Sequence, residues 1–146
     1  MATQAVQAPP KDPRMAALTT IKQTLEAGKE RIRVVLPQGM DLQRVINVAL
    51  ASISQDPTGN LIQCAPHTIL RAVIFATQYG LECGGPLQHG ALVPYYNKQL
   101  QAKECQFQPM FKGLMKLAKD AGAAKKFSAG VVYDCDTFEW EEGVAP

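Results

Sequence analysis

HGALVPYYNKQLQAKECQFQPMFKGLMKLAKDAG, residues 89–122, places two strand-like runs and a basic helix in direct succession. Residues 91–96 are apolar and aromatic, the types that suit a pleated, half-buried surface, and they predict a strand. Residues 97–101 have the length of a hairpin turn, and 104–110 predict the return strand. Alternation puts Cys105, Phe107 and Pro109 on one face of it. Pro94 and Pro109 lack an N–H to donate, which assigns both strands to edge or terminal positions. From 110 to 121 the apolar period changes from two to 3.6: Leu114, Met115, Leu117 and Ala118 form a stripe, and Gly122 ends it. Lys112, Lys116 and Lys119 follow one another at steps of four and three on a separate face of this helix.

Upstream, apolar residues recur at helical spacing from 14 to 27 (Met15, Leu18, Ile21, Leu25), stopped by Gly28. A short apolar run, 32–36, is cut off by Pro37. Asp41 can cap a second helix whose stripe is Leu42, Val45, Ile46, Ala49, Leu50 and Ile53. Residues 55–60 are turn-forming, and a third helix begins near Pro66, where a missing N–H costs nothing. Ile69, Leu70, Val73, Ile74 and Ala76 are its buried face, and Gly80 can terminate it. Residues 81–88 read as a loop. Downstream, residues 128–133 and 137–140 predict a second hairpin across a tight turn at Cys135–Asp136. Residues 1–13 read as a flexible leader, and 14–146 as a single domain. Helices and antiparallel strands are segregated along the chain, so the expected class is α+β: N-terminal helices, a hairpin, a basic helix and a second hairpin, with the antiparallel sheet packed on the helices.

The chain has 146 residues, 47% of them hydrophobic, enough for one domain with a true core. Its net charge of +2 hides a strong asymmetry. Residues 98–126 carry seven lysines against Glu104 and Asp120, a net of +5, whereas residues 127–146 carry five acids and no Lys or Arg. The four cysteines form no C-x-x-C pair, and the first residues lack the basic start and apolar run of a secretory signal. No stretch approaches the ~18 apolar residues of a membrane span. These features together predict a reduced, cytoplasmic protein with free, mostly buried thiols and no membrane partner.

Enzyme signatures are sparse. There is no G-x-x-x-x-G-K-[S/T] phosphate loop, no G-x-S-x-G elbow and no H-E-x-x-H pair, so no tightly bound cofactor is expected. Asp134 and Asp136 can attract a divalent cation, but two carboxylates fall short of a complete hard-metal site. The basic segment has more to offer. Lys98 and Lys103 bracket the hairpin tip, Lys112, Lys116 and Lys119 line the helix, and Lys125 and Lys126 follow it. If hairpin and helix pack side by side, these ammoniums line one groove. Point cations along a track hold a phosphate backbone with little sequence preference. Tyr95, Tyr96 and Phe111 supply rings on which bases can stack, Gln99, Gln101, Gln106 and Gln108 supply sequence-tolerant hydrogen bonds, and Asn97 joins them as a candidate DNA contact.

Leu92-Val93-Pro94-Tyr95, Phe107, Lys112-Gly113-Leu114, Leu117-Ala118, Gly122, Val131-Val132-Tyr133, Asp136, Phe138-Glu139 and Gly143 form an ordered series of motifs. This series resembles the RecT family of phage-type single-strand annealing proteins. Upstream, Leu61-Ile62-Gln63-Cys64, His67-Thr68-Ile69-Leu70 and Tyr79-Gly80-Leu81-Glu82 match as well, so the likeness runs from about 44 to 143. It implies ATP-independent binding of single-stranded DNA and annealing of complementary strands in homologous recombination. It also implies rings or helical filaments on single-stranded DNA and the annealed duplex, and a partner 5′–3′ exonuclease. Magnesium can assist annealing without a tight site. Met110 stands where the family has a glycine before the aromatic. The resemblance further implies that this chain is the N-terminal part of the family's core. Two other readings stay open on the residues: an oligomerisation module with weak or no annealing, and a metal-dependent nuclease built on Asp134 and Asp136.

Overall fold

The computed structural model describes residues 12–139; the leader up to residue 11, and Trp140 and Gly143 of the expected C-terminal elements, lie outside the described residues. Five helices and one two-stranded sheet follow in the order α1 (Pro13–Ala27), α2 (Lys29–Val34), α3 (Leu42–Ser54), α4 (Pro66–Gln78), β1 (Gly90–Asn97), β2 (Ala102–Pro109) and α5 (Phe111–Asp120), with a turn of 3-10 helix at Leu61–Gln63. The class is α+β, as the segregated pattern required.

The helix starts are chemically defined. The Asp12 side chain accepts from Arg14 N–H at 2.9 Å, and Asp41 accepts from Arg44 N–H at 2.7 Å, each satisfying a donor that the first helical turn leaves free. Pro66 opens α4. Gly80, at φ +64°, closes it, with Gly80 N–H donating to Thr77 O (2.9 Å) and Leu81 N–H to Ala76 O (3.0 Å).

Gly28 ends α1 at φ −83°, an ordinary right-handed value, and the chain re-enters a helix at once, burying Ile32. The short apolar run thus begins inside a six-residue helix. The reason for glycine here is space: a Cβ would run into the Leu70 side chain of α4.

The core lies between α1, α3 and α4 and is closed by the hairpin. Ile21, Leu25, Ile46, Ile53, Ile69 and Val73 are fully buried, and Leu92, Cys105 and Phe107 add the hairpin's contribution. Each such aliphatic side chain contributes about 1.5–3 kcal/mol on leaving water. Glu82, buried beyond α4, is met by Arg44 Nε of α3 at 2.7 Å. Cys64, Cys83 and Cys105 are buried free thiols, while Cys135 is exposed. Burial pushes the Cys105 thiol up to about 12 and raises Cys83 as well.

The register of β1 on β2 runs from Gly90↔Pro109 at the base to Asn97↔Ala102 at the tip. Gly84 N–H donates to Gly90 O at 2.7 Å on the side away from β2. Alternate residues from Gly90 onward therefore turn their backbone groups outward, and so do their opposite numbers Lys103, Cys105, Phe107 and Pro109. Both prolines fall in this outward set, so neither removes a bond from the ladder. The start of α4 covers part of β2's outer edge: Ala65 N–H donates to Lys103 O (3.1 Å), and Cys105 N–H donates to the buried Thr68 hydroxyl (2.9 Å).

Among the described residues the second hairpin does not form. Residues 128–139 contain no strand; the turn at 134–136 is made, with Asp136 N–H donating to Tyr133 O (2.9 Å) and Tyr133 N–H to Asp136 Oδ2 (3.0 Å). Val131 and Tyr133 are 77% and 66% exposed, so the strand-like side chains have no apolar surface beneath them. A lone two-stranded ribbon is marginal without such support.

Candidate nucleic-acid interface

The helix α5 is held by a close approach rather than by a deep apolar stripe. Gly113 is buried against the backbone of His89, where a Cβ would collide with the carbonyl oxygen. That same oxygen accepts from Met110 N–H at 2.9 Å, which joins the residue before the helix to the base of the hairpin. Leu117 packs against the core, while Leu114, expected in the buried stripe, is largely exposed.

This anchorage turns the lysine face outward. Lys112, Met115, Lys116, Lys119 and Asp120 line one open depression of about 260 Å³. Lys112 Nζ donates to Gln88 Oε1 at 2.7 Å and lies 5.9 Å from the centre of the Phe111 ring. Lys116 is paired with Asp120, and Lys119 lies 6.0 Å from the Phe127 ring. Phe111 is 63% exposed. Burial, and then the charge of Lys116, hold the His89 imidazole below its usual value, and its buried Nδ1 has no hydrogen-bond partner among the described residues. Lys125 and Lys126 are exposed in the segment after the helix.

The other predicted residues gather at the far end of the hairpin. Eight-residue strands at about 3.3 Å per residue set the tip some 23 Å from the base, so one chain carries two basic groups rather than one groove of neighbouring ammoniums. Lys98 is exposed in the turn. Lys103 is tied down, donating to Asn60 Oδ1 and Gln63 Oε1 at 2.7 Å each. Asn97 is occupied by its own turn: its side-chain oxygen accepts from Gln99 N–H (2.9 Å), and its amide donates to the buried Glu104 (3.3 Å). Tyr95 and Tyr96 are both exposed, but as consecutive strand residues they point to opposite faces, Tyr95 opposite Glu104 and Tyr96 opposite Lys103. They cannot form one stacking platform within one chain.

Gln106 is exposed on β2 and shares an open groove of about 360 Å³ with Arg71 and Phe75 of α4. The sequence pattern did not mark those two residues, because the apolar stripe dominates α4. The available signal was an arginine and a ring four apart on the opposite side of a buried helix. Asp134 and Asp136, the candidate cation ligands, sit in the turn after α5, where one Asp136 oxygen accepts from Tyr133 N–H; among the described residues they join no group of three or more potential ligands. No helix among the described residues is long and apolar enough to cross a membrane.

A family model described as the RecT family matches residues 43–145. Protein RecT of Escherichia coli (strain K12) is 32% identical over 118 residues, covering 80% of this chain and 43% of that protein, so the chain spans less than half the length of this relative. No solved structure matches the chain. The K-G-L motif that anchors α5 on His89 lies within the matched region, and the chain belongs to the RecT family.

Proposed function

We propose that this chain binds single-stranded DNA and anneals complementary strands without nucleotide hydrolysis, working as an oligomer in homologous recombination. The observation that carries the reading is the outward face of α5, where Lys112, Lys116 and Lys119 line one depression and exposed Phe111 lies beside Lys112. Ammoniums spaced along a helix neutralise successive phosphates and release their counterions, which makes binding tight, indifferent to sequence and sensitive to salt. Side-by-side subunits would join the α5 cations to the tip group of the next chain and continue the track. Bases kept apart and outward can then test a second strand, and pairing itself lowers the free energy. No bond is made or broken, so no general acid, base or resident metal is required. A 5′–3′ exonuclease that exposes single strands is the partner this chemistry calls for.

The test is annealing of two complementary oligonucleotides with no nucleotide present, comparing the unaltered chain with a Lys112→Ala/Lys116→Ala variant. The slope of log affinity against log salt should fall by about 1.4, or about 0.7 for each single-strand phosphate that the variant leaves unneutralised. Equal rates and equal slopes at several salt concentrations would remove α5 from the interface. Assemblies that retain no oligonucleotide at low salt would instead favour an oligomerisation module.

A further inference from the structure

Beyond Cys105, the outer edge of β2 is no longer covered by backbone or hydroxyl groups from α4. There it faces Arg71, Ala72 and Phe75 across the 360 Å³ groove, whose floor is the buried Ala72 and Phe107. Three features of this groove stand out. Phe75 meets Tyr79 edge to face, with ring centres 5.1 Å apart and planes at 77°, which fixes both rings while each stays nearly half exposed. Arg71 is exposed and forms no ion pair among the described residues, whereas Arg33 and Arg44 each have a carboxylate. The outward backbone groups of Phe107 have no hydrogen-bond partner among the described residues, and Gln106, next in the strand, also lines the groove.

A fixed ring, an unpaired guanidinium and a free strand edge suit one kind of occupant. A base has a π face for the ring and an edge of donors and acceptors for the free strand backbone, and the phosphate attached to it suits Arg71. An acidic peptide would use the guanidinium and the strand edge but would leave the exposed ring unused. The groove is also continuous in sequence with the basic helix, since β2 runs from it through Pro109 into Phe111 and Lys112.

We propose that the groove between α4 and the β2 edge is a base-binding site for single-stranded nucleic acid, with Phe75 as the stacking ring and Arg71 on the adjoining phosphate. The site rests on the nucleic-acid reading above and adds to the α5 face a ring already fixed by its neighbour Tyr79, where the base as well as the backbone is sensed.

Oligothymidylate and an abasic deoxyribose-phosphate strand of the same length separate these two contributions. The unaltered chain should bind the thymidylate strand about ten-fold more tightly, in line with ordinary base–aromatic stacking. Phe75→Leu, at a half-exposed position, should erase most of that preference and leave abasic binding unchanged, and Phe75→Tyr should restore it. Arg71→Gln should weaken both strands together, and Lys112→Ala/Lys116→Ala should do the same while keeping the ratio. Equal binding of the two strands by the unaltered chain, or an undiminished ratio in Phe75→Leu, overturns the base site and leaves the lysine reading standing. Loss of both strands in Phe75→Leu, unrestored in Phe75→Tyr, overturns it as well. Retention of neither strand by the unaltered chain overturns both readings.

Discussion

Replacing Gly113 by alanine sets two effects of opposite sign against each other. Gly113 is a helical residue, and alanine in a helix is favoured over glycine by about 1 kcal/mol. On propensity alone the variant is the more stable protein. The added methyl, however, meets the His89 carbonyl oxygen, which is backbone and is already engaged by Met110 N–H at 2.9 Å. Shifting that carbonyl forfeits a hydrogen bond worth about 0.5–1.5 kcal/mol. Overfilling a close-packed contact costs a further ~1–3 kcal/mol. The expected balance is a loss of about 1–3 kcal/mol. With a urea slope near ~2 kcal/mol/M for a chain of this size, the midpoint should drop by roughly 0.5–1.5 M. Urea titration followed by far-ultraviolet circular dichroism reads this directly, with Leu114→Ala, at an exposed site of the same helix, as a control expected to move little. A Gly113→Ala midpoint equal to or above that of the unaltered chain would refute the reasoning, because it would mean that α5 does not rest on the His89 backbone. Glycine would then be present in K-G-L for some reason other than contact.

Other consequences are open to measurement. His89 is held below the usual imidazole value by burial and by Lys116, so its neutral form is favoured in the fold. Its contribution is complete above about pH 6.5 and is lost as pH falls toward the folded value; a nuclear magnetic resonance titration should give a midpoint below 6.5, and one at or above it would contradict the placement of this half-buried ring beside Lys116. Asp56 is lowered: burial works against its charge but is outweighed by hydrogen bonds from Leu61 N–H and from Thr58. Its stabilisation is present above about pH 3.8 and disappears as acid protonates it, so Asp56→Asn should cost about 1 kcal/mol at neutral pH and flatten the acid limb of the stability curve. A maleimide should label Cys135 promptly and the buried Cys64, Cys83 and Cys105 only on the timescale of opening, giving one fast thiol per native chain by mass spectrometry.

The first hairpin was legible because its pattern and its tertiary role agree: Leu92, Cys105 and Phe107 alternate and are buried by α4 and the core. The stripes of α3 and α4 were legible for the same reason. The hairpin expected from residue 128 onward, absent among the described residues, shows the other side of this. Val131, Val132 and Tyr133 have the composition of a strand, but strand propensity describes fitness for a half-buried surface, and none lies under these residues. Helix α2 was not legible because six residues are too few to show a period. Among the candidate site residues, the spacing of Lys112, Lys116 and Lys119 matched the common face they share in the fold. The opposed directions of Tyr95 and Tyr96 were equally available from the two-residue repeat. The partners of Lys103 were not, since Asn60 and Gln63 lie some forty residues away and only the folded chain brings them together.

Those partners give the basic segment an uneven character. Lys103 and Lys112 are steadied by amide oxygens, which are neutral, so each ammonium keeps its full charge while its long side chain is already ordered. Ordering a lysine costs about 1.5–2 kcal/mol, and here folding has met that cost before any anion arrives. Lys116 is steadied by Asp120, a carboxylate, which orders it but cancels its charge until an arriving anion takes the aspartate's place. Two cations stand preorganised at opposite ends of the hairpin, and between the α5 lysines sits a third whose release depends on exchange. Counting lysines would treat all three alike; their partners make them different instruments.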